Sequence, residues 1–277
     1  MRSRCALLGC ALLTLALAAA CAPAPPAPGR APADPGPAGP RIGDDGPVTT
    51  LPAYHPVALD VVVSATEGAA PLTITATATA SSASPVERID WTRHDEIPIT
   101  SGPRASFTLD RPGTWYFTTT ATNTNRITHT RYWHVHVLPS TDDRTRIESL
   151  LVAEVNRRRA AASQPALTGD ATLATGARQW AQRTLTEGLV HDPGWFPPVP
   201  WSSAGEVIDT GHLGSAHAHA EADLVREVVD RFMDSPGHRS ILLDPEHRRV
   251  GAGLACGTGH AGIRCDTVIR TMSPAAG

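Results

Sequence analysis

The chain of 277 residues contains no lysine, so each of its 24 basic residues is an arginine. Alanine and proline are abundant, and we attribute this bias to a high-GC bacterial genome rather than to a mechanism. There is also no excess of positive charge, because 27 acidic residues give a formal net charge of -3. The composition therefore offers no electrostatic basis for binding nucleic acid.

No apolar run in the chain is long enough to be a confident membrane span. Residues 6–19 form the longest candidate, and Arg2 and Arg4 precede it as a positive segment. A short apolar run with these flanks is typical of a secretory signal, which we assign to residues 1–20.

Small residues at positions 18–20 lead into Cys21, and together they resemble a bacterial lipobox. This predicts a lipoprotein in which Cys21 carries the lipid and anchors the chain to the outer face of the cell membrane. The alternative is ordinary signal cleavage after Ala20, which would release the protein outside the cell.

Cysteine is scarce in the remaining sequence. Cys5 and Cys10 would leave with the signal and Cys21 would carry lipid, so Cys256 and Cys265 remain. In an exported protein an even remainder of two predicts one disulfide, with a pair of free thiols as the alternative.

The chain divides by composition into a stalk and two domains. Residues 21–50 are rich in Pro, Ala and Gly and predict a disordered stalk. Residues 51–139 alternate apolar and polar side chains, as in Leu72, Ile74, Ala76 and Ala78, and predict an all-β sandwich of immunoglobulin-like type without its cysteine pair. Pro71, Trp91 and the 112–116 segment resemble a polycystic-kidney-disease (PKD) domain, although the Gly-Asp-Gly of that family is absent.

From residue 141 to 275 the apolar period becomes helical and then returns to strand. We expect a helix after Ser140 or Thr141, a second after Thr168, a third from about Ala220 and a short fourth at Pro236 capped by Ser235. Strands are expected near residues 249–256 and 263–271. The fold class is therefore α+β.

Four motifs in this second domain occur in a recognisable order: His191, then Gly-Glu at 205–206, then Ser-Pro-Gly-His-Arg at 235–239, then Val-Gly-Ala-Gly at 250–253. This order resembles the CAP superfamily of cysteine-rich secretory, antigen and pathogenesis-related proteins, in its bacterial branch. The resemblance covers about half of the chain and implies an α-β-α sandwich.

Members of that family gather histidines and glutamates at the floor of a cleft. Carried over by motif, the site residues are His191, Glu206 and His238, while the second glutamate of the eukaryotic members falls on Ser235. Trp195 lies in an aromatic, proline-stiffened segment, 195–201, that could line the cleft or pack locally as a lid.

Two imidazoles and one carboxylate are a ligand set that suits Zn²⁺ or another divalent metal, lost as the histidines protonate near pH 6. The same groups could equally form a hydrogen-bonded cluster in which Glu206 orients one imidazole. Three other histidines, His212, His217 and His219, are predicted to lie in a mobile loop beside the cleft. His134 and His136 are predicted to lie on a solvated face of a β-strand.

No catalytic serine elbow, Cys-His pair or pair of glycosidase carboxylates is evident in the sequence. The resemblance favours a non-enzymatic, tethered module whose cleft binds a lipid, cell-wall, peptide or other extracellular ligand. One alternative is a metal-dependent hydrolase of peptide or cell-wall material, with Glu206 as general base. The other is a structural adhesin that makes its contacts through the β-sandwich.

Overall fold

The structure is a computed structural model that describes residues 56–93, 98–195 and 200–275, all within one compact unit, Ala53–Gly277. The expected signal at 1–20, the stalk at 21–50 and the lipid site at Cys21 lie outside the described residues. None of the described helices has the length and apolar character that crossing a membrane requires.

The first domain consists of eight described strands that form two facing sheets. A three-stranded sheet has the order β1-β3-β6, and a five-stranded sheet has the order β2-β8-β7-β4-β5. Their bounds are β1 Ala58–Val63, β2 Glu67–Ala69, β3 Leu72–Ser81, β4 Val86–Arg93, β5 Pro98–Ser101, β6 Arg104–Leu109, β7 Gly113–Asn123 and β8 Thr128–Leu138.

Alternating side chains produce the core of this sandwich, as the period-two pattern predicts. In β3 the side chains of Ile74, Ala76 and Ala78 are buried, whereas the threonines between them are exposed. Trp91 lies at the centre of the core, with its ring centroid 6.3 Å from Phe107 and 6.2 Å from Trp133. The expected immunoglobulin-like sandwich is confirmed.

The second domain has four helices and four strands among the described residues. The helices are α1 Thr141–Ala161, α2 Ala171–Glu187, α3 Ala220–Asp234 and α4 Pro236–Leu242. The strands are β9 Thr168–Gly169, β10 Trp201–Leu213, β11 Arg249–Gly259 and β12 Gly262–Pro274, in the sheet order β10-β12-β11-β9.

Helices cover both faces of this sheet, so the domain is the expected α-β-α sandwich. Strand alternation divides neighbouring residues between the faces: Ile208, Ala255 and Val268 pack with α2, and the residues beside them pack with α1, α3 and α4. Gly251 and Gly253 face α2, whose backbone lies where their Cβ atoms would be. The glycine pair therefore allows close packing of the strand against the helix backbone.

Local signals fix the helix starts. Ser140 caps α1 in a reciprocal capping box with Asp143, and Asp170 caps α2. Ser235 does precede α4, but its side chain makes no capping hydrogen bond, so the predicted capping role of its hydroxyl is wrong. The helix begins instead with Pro236 at its first position, where a missing N–H costs nothing.

The two domains are joined through the start of β7. The backbone N–H of Thr114 donates to the Gly214 carbonyl at 2.8 Å, and the Thr114 carbonyl accepts from the N–H of Ala216 at 3.0 Å. Nearby, Thr258 donates from its hydroxyl to Glu67 at 2.6 Å. We call these contacts the seam, and they couple the sheet of one domain to a loop of the other.

Candidate functional site

Three sequence-predicted residues come from three different segments of the second domain. His191 lies in the loop after α2, Glu206 lies in the edge strand β10, and His238 lies in α4. The structure brings them together: the rings of His191 and His238 are 6.5 Å apart, and His191 contacts Glu206.

Glu206 is the buried acid of the site, with its side chain 6% exposed. One carboxylate oxygen accepts from the His191 Nδ1 at 3.1 Å and from the backbone N–H of Asp192 at 3.0 Å. The other accepts from the Arg270 Nε at 2.8 Å. Because a carboxylate accepts, the His191 proton is placed on Nδ1, and this leaves its Nε2 free to face outward.

Arg270 is a site residue that the sequence reasoning missed. It lies opposite Glu206 in the β10–β12 register, is 3% exposed, and donates from Nη2 to Asp192 at 2.7 Å. The Trp195 ring covers its guanidinium at 4.9 Å. An arginine directly after Val268 and Ile269 in β12 is the signal that could have identified it, since a buried arginine needs a partner.

His238 forms the far wall of the site. Its ring stands edge-on to Phe232 at 5.4 Å, and burial followed by the nearby His191 lowers the pKa of its imidazole. Both effects favour the neutral ring, so His238 can act as a hydrogen-bonding group over most of the physiological pH range.

The predicted metal set does not fit this arrangement. Among the residues that the structure describes, no group of three or more His, Cys, Asp and Glu side chains is placed to hold a metal ion. The physical reason lies at Glu206, whose oxygens already accept from three protein donors, one of them the permanent cation of Arg270. Within the predicted set, His191 and Glu206 are hydrogen-bonded to each other, whereas His238 contacts His191 ring to ring.

The remaining predicted cleft residues divide into two groups. Trp195 is in contact with the site through Arg270, whereas residues 196–199 of the aromatic segment lie outside the described part. Ser235 is half-buried at the start of α4, three residues before His238.

The other histidines are only partly as expected. His212 belongs to β10 rather than to a loop, and His217 lies 3.6 Å from Asp223. His134 and His136 do share one strand face, with rings 4.8 Å apart, but His136 is half-buried and hydrogen-bonds Thr114 at the seam. The predicted solvated face is only partly right for His136, since a Cβ at Gly262 of the second domain would lie 4.0 Å from its ring.

A family model matches the region that holds this site. Residues 152–267 match the cysteine-rich secretory protein family, CAP, and this range includes the sequence motifs at 191, 205–206 and 235–239. This region is therefore similar to CAP domains, and we call the cluster of His191, Glu206, His238 and Arg270 the CAP site. No match was found among curated protein sequences.

Solved structures similar to the chain include proteins with CAP domains and proteins with PKD domains. An outer surface protein of Borrelia burgdorferi shares 16% identity over 48% of this chain and 96% of its own, with a TM-score of 0.38. An extracellular protein of Bacillus anthracis with an SCP domain shares 15% identity over 60% of this chain and 66% of its own, with a TM-score of 0.34. The first PKD domain of Vibrio anguillarum Epp shares 14% identity over 31% and 96%, with a TM-score of 0.26.

Proposed function

We propose that this protein is an exported, membrane-tethered bacterial CAP-domain protein that binds an extracellular or envelope ligand in its cleft without chemical turnover. The observation that carries the proposal is the state of Glu206. A general base needs a carboxylate oxygen free to take a proton from water or substrate. Here both oxygens accept from protein donors, which makes Glu206 a fixed part of the cleft wall.

The shape of the site supports binding in the same way. His191 is 58% exposed and held by Glu206, and His238, favoured in its neutral form, lies with its ring 6.5 Å from that of His191. Two preset polar groups beside the Trp195 ring are the arrangement with which small-ligand sites fix orientation.

The test is retention of envelope lipid and cell-wall fragments by the full purified chain. Wild type should retain material, His238→Ala should lose most of it, and a chelator should change neither result. His212→Ala is the matched control, because that imidazole is exposed in the same domain.

Three results would contradict the proposal. Equal retention by His238→Ala and wild type would remove the cleft from binding. Zinc-stimulated breakdown of envelope material, abolished by Glu206→Gln, would favour the hydrolase. Loss of retention in Tyr132→Ala alone, at a side chain 80% exposed on the sandwich, would favour the adhesin.

The tether is tested separately by cell fractionation. Wild type should fractionate with membranes, and Cys21→Ala should move to the soluble exported fraction because it lacks the acyl chains. Membrane association that persists in Cys21→Ala would refute lipidation at this residue.

A further inference from the structure

A recess lies beside the CAP site, between α2 and Arg270 of β12. It has a volume of about 350 Å³ and is lined by Gly176, Gln179, Trp180, Arg183, Asp192 and Arg270. The four residues from α2 are spaced three, four and seven apart from Gly176, which places them in one stripe of the helix. We call this recess the α2 groove.

Arg270 connects the α2 groove to the CAP site. Its Nε and Nη2 donate to Glu206 and Asp192, which fixes the plane of the guanidinium. Its Nη1 lies against Gly176, where an added Cβ would come within 2.6 Å of it. Within the described residues Nη1 has no acceptor, so a charged donor that is almost wholly buried faces a groove able to admit a ligand.

Arg183 supplies a second donor at the open end of the α2 groove. Its guanidinium lies 5.5 Å from the centroid of the Trp180 ring, and no acid in the described part of the chain pairs with it. The Trp180 indole N–H already donates to the Val190 carbonyl at 2.8 Å, so the ring acts as an apolar wall. The groove thus offers two arginines on one apolar surface.

The charges around the α2 groove limit the ligand to one negative charge. Arg183 and Arg270 carry two positive charges, and Asp192 with Glu206 behind it carry two negative charges. A single carboxylate can bind through the two free donor groups, whereas a doubly charged phosphate would meet two fixed carboxylates with no further cation. Affinity in the millimolar range is what such a balanced, partly exposed site provides.

We infer that the α2 groove binds the carboxylate of a singly charged ligand, with Arg270 Nη1 and the Arg183 guanidinium as donors and Trp180 as the wall. Two sources carry such a group: an acidic sugar, and the C-terminus of a peptide. The inference rests on the proposed binding role and gives that role a ligand chemistry.

The test titrates the full chain with matched probes and follows the indole N–H signals of Trp180 and Trp195 by NMR. D-glucuronate is compared with D-glucose, and N-acetyl-alanine with its amide, because each pair differs in the carboxylate. The acid of at least one pair should shift the Trp180 signal and its neutral partner should not. The pair that responds identifies the source.

Variants connect the signal to the groove. Arg183→Gln should lower the affinity for the acid about tenfold, the loss expected from one charge-assisted hydrogen bond. Arg157→Gln is the matched control, since this exposed arginine pairs with Glu154 on α1, outside the groove. Inorganic phosphate should bind more weakly than the acid.

Equal shifts from acid and neutral partner, no shift with either acid, or an unchanged affinity in Arg183→Gln would each overturn the inference. These results are independent of the retention experiment. A failure of His238→Ala to reduce retention would refute the proposed function while leaving the carboxylate titration intact.

Discussion

The guanidinium of Arg270 is the cation that pairs with the acids of the CAP site. It holds two carboxylates, Glu206 and Asp192, in a setting where water reaches little of the arginine or of Glu206. A buried charge that loses its partner keeps its full desolvation cost, so this arginine determines whether the site can fold with an ionised acid at its base.

Arg270→Gln should therefore lower the free energy of unfolding by roughly 3–5 kcal/mol, the range observed when one partner of a buried pair is removed. Urea denaturation measures the change. Arg226→Gln, which removes an arginine 61% exposed from its pair with Asp223, should cost less than about 1 kcal/mol. If both variants lose the same free energy of unfolding, the buried pair stabilises the protein no more than an exposed pair does.

Among the described histidines His247 is the most buried, and it gives stability a pH dependence. Its Nδ1 lies 3.1 Å from the Ile241 carbonyl, and its Nε2 lies 3.0 Å from the Ser203 hydroxyl. Burial is the largest effect and lowers the pKa of this imidazole below 6.5. The negative charge of Asp244 raises the pKa, but by less.

Because the folded pKa is the lower one, the unfolded chain binds the proton first as the pH falls through 6.5. Stability should therefore decrease from pH 6.5 downward until the folded imidazole also protonates. His247→Asn should make the unfolding free energy less dependent on pH in that window, and His212→Asn should not. A pH slope that is identical in wild type and His247→Asn would contradict the argument.

Sequence reasoning found the residues of the site whose motifs are local and missed the one that is not. His191, Glu206 and His238 each lie beside a glycine, proline or acid in a recognisable order, and the structure brings them together. Arg270 has no motif, and its role depends on the β10–β12 register, which sets it opposite Glu206. The functional roles of these residues remain predictions.

At the scale of elements, the contact between α2 and β11 depends on two glycines. A Cβ at Gly253 would meet the backbone of Arg178 directly, and one at Gly251 would meet that of Ala174. Since backbone cannot rotate out of the way as a side chain can, this packing tolerates no added atom.

Gly253→Ala should destabilise the protein by about 1–3 kcal/mol or more by overpacking. Gly257→Ala lies on the same strand, where the added Cβ would make an ordinary contact with Leu185 at 3.8 Å. That control should be nearly neutral. Thermal unfolding of both variants is the measurement, and a neutral Gly253→Ala would show that α2 can move away from the sheet at little cost.

Cys256 and Cys265 are bonded to each other across the β11–β12 pair, so the expected disulfide is confirmed and the free-thiol alternative is wrong. A cross-link over this short span should stabilise by roughly 2–3 kcal/mol in the chain-entropy model. Cys256→Ser combined with Cys265→Ser should show that loss by urea denaturation. Reduced wild type should lose the same amount. If reduced and oxidised wild type unfold with equal free energies, the disulfide does not stabilise the hairpin.

Element types were largely predictable because apolar periodicity reports them directly. The helices and the sandwich strands follow from it, while the long edge strand β10 does not. Its Gly-Glu motif and polar residues obscure the alternation, since this strand presents Glu206 and Asp209 to charged partners rather than to an apolar core.

At the scale of the molecule, the two cores are separate and the seam connects them. Gly113, with a φ of 129°, brings its backbone against Ala216, and a Cβ there would lie 2.7 Å from the Ala216 Cα. Composition shifts could divide the chain into domains, but no sequence pattern indicates which loop of one domain pairs with which strand of the other.

Gly113→Ala should loosen the seam and separate the unfolding of the two domains into distinct calorimetric transitions. Gly102→Ala is the matched control, because it imposes similar backbone strain at a φ of 120° with no atom within 4 Å of its Cβ. If both variants unfold as wild type does, the seam does not couple the domains.

The cation that balances the CAP cleft is covalently part of the chain. A pocket built this way keeps its geometry in fluids stripped of zinc and calcium, where a pocket organised around a bound ion would collapse. For the proposed binding role, retention of a ligand should therefore be the same in buffers with and without divalent ions.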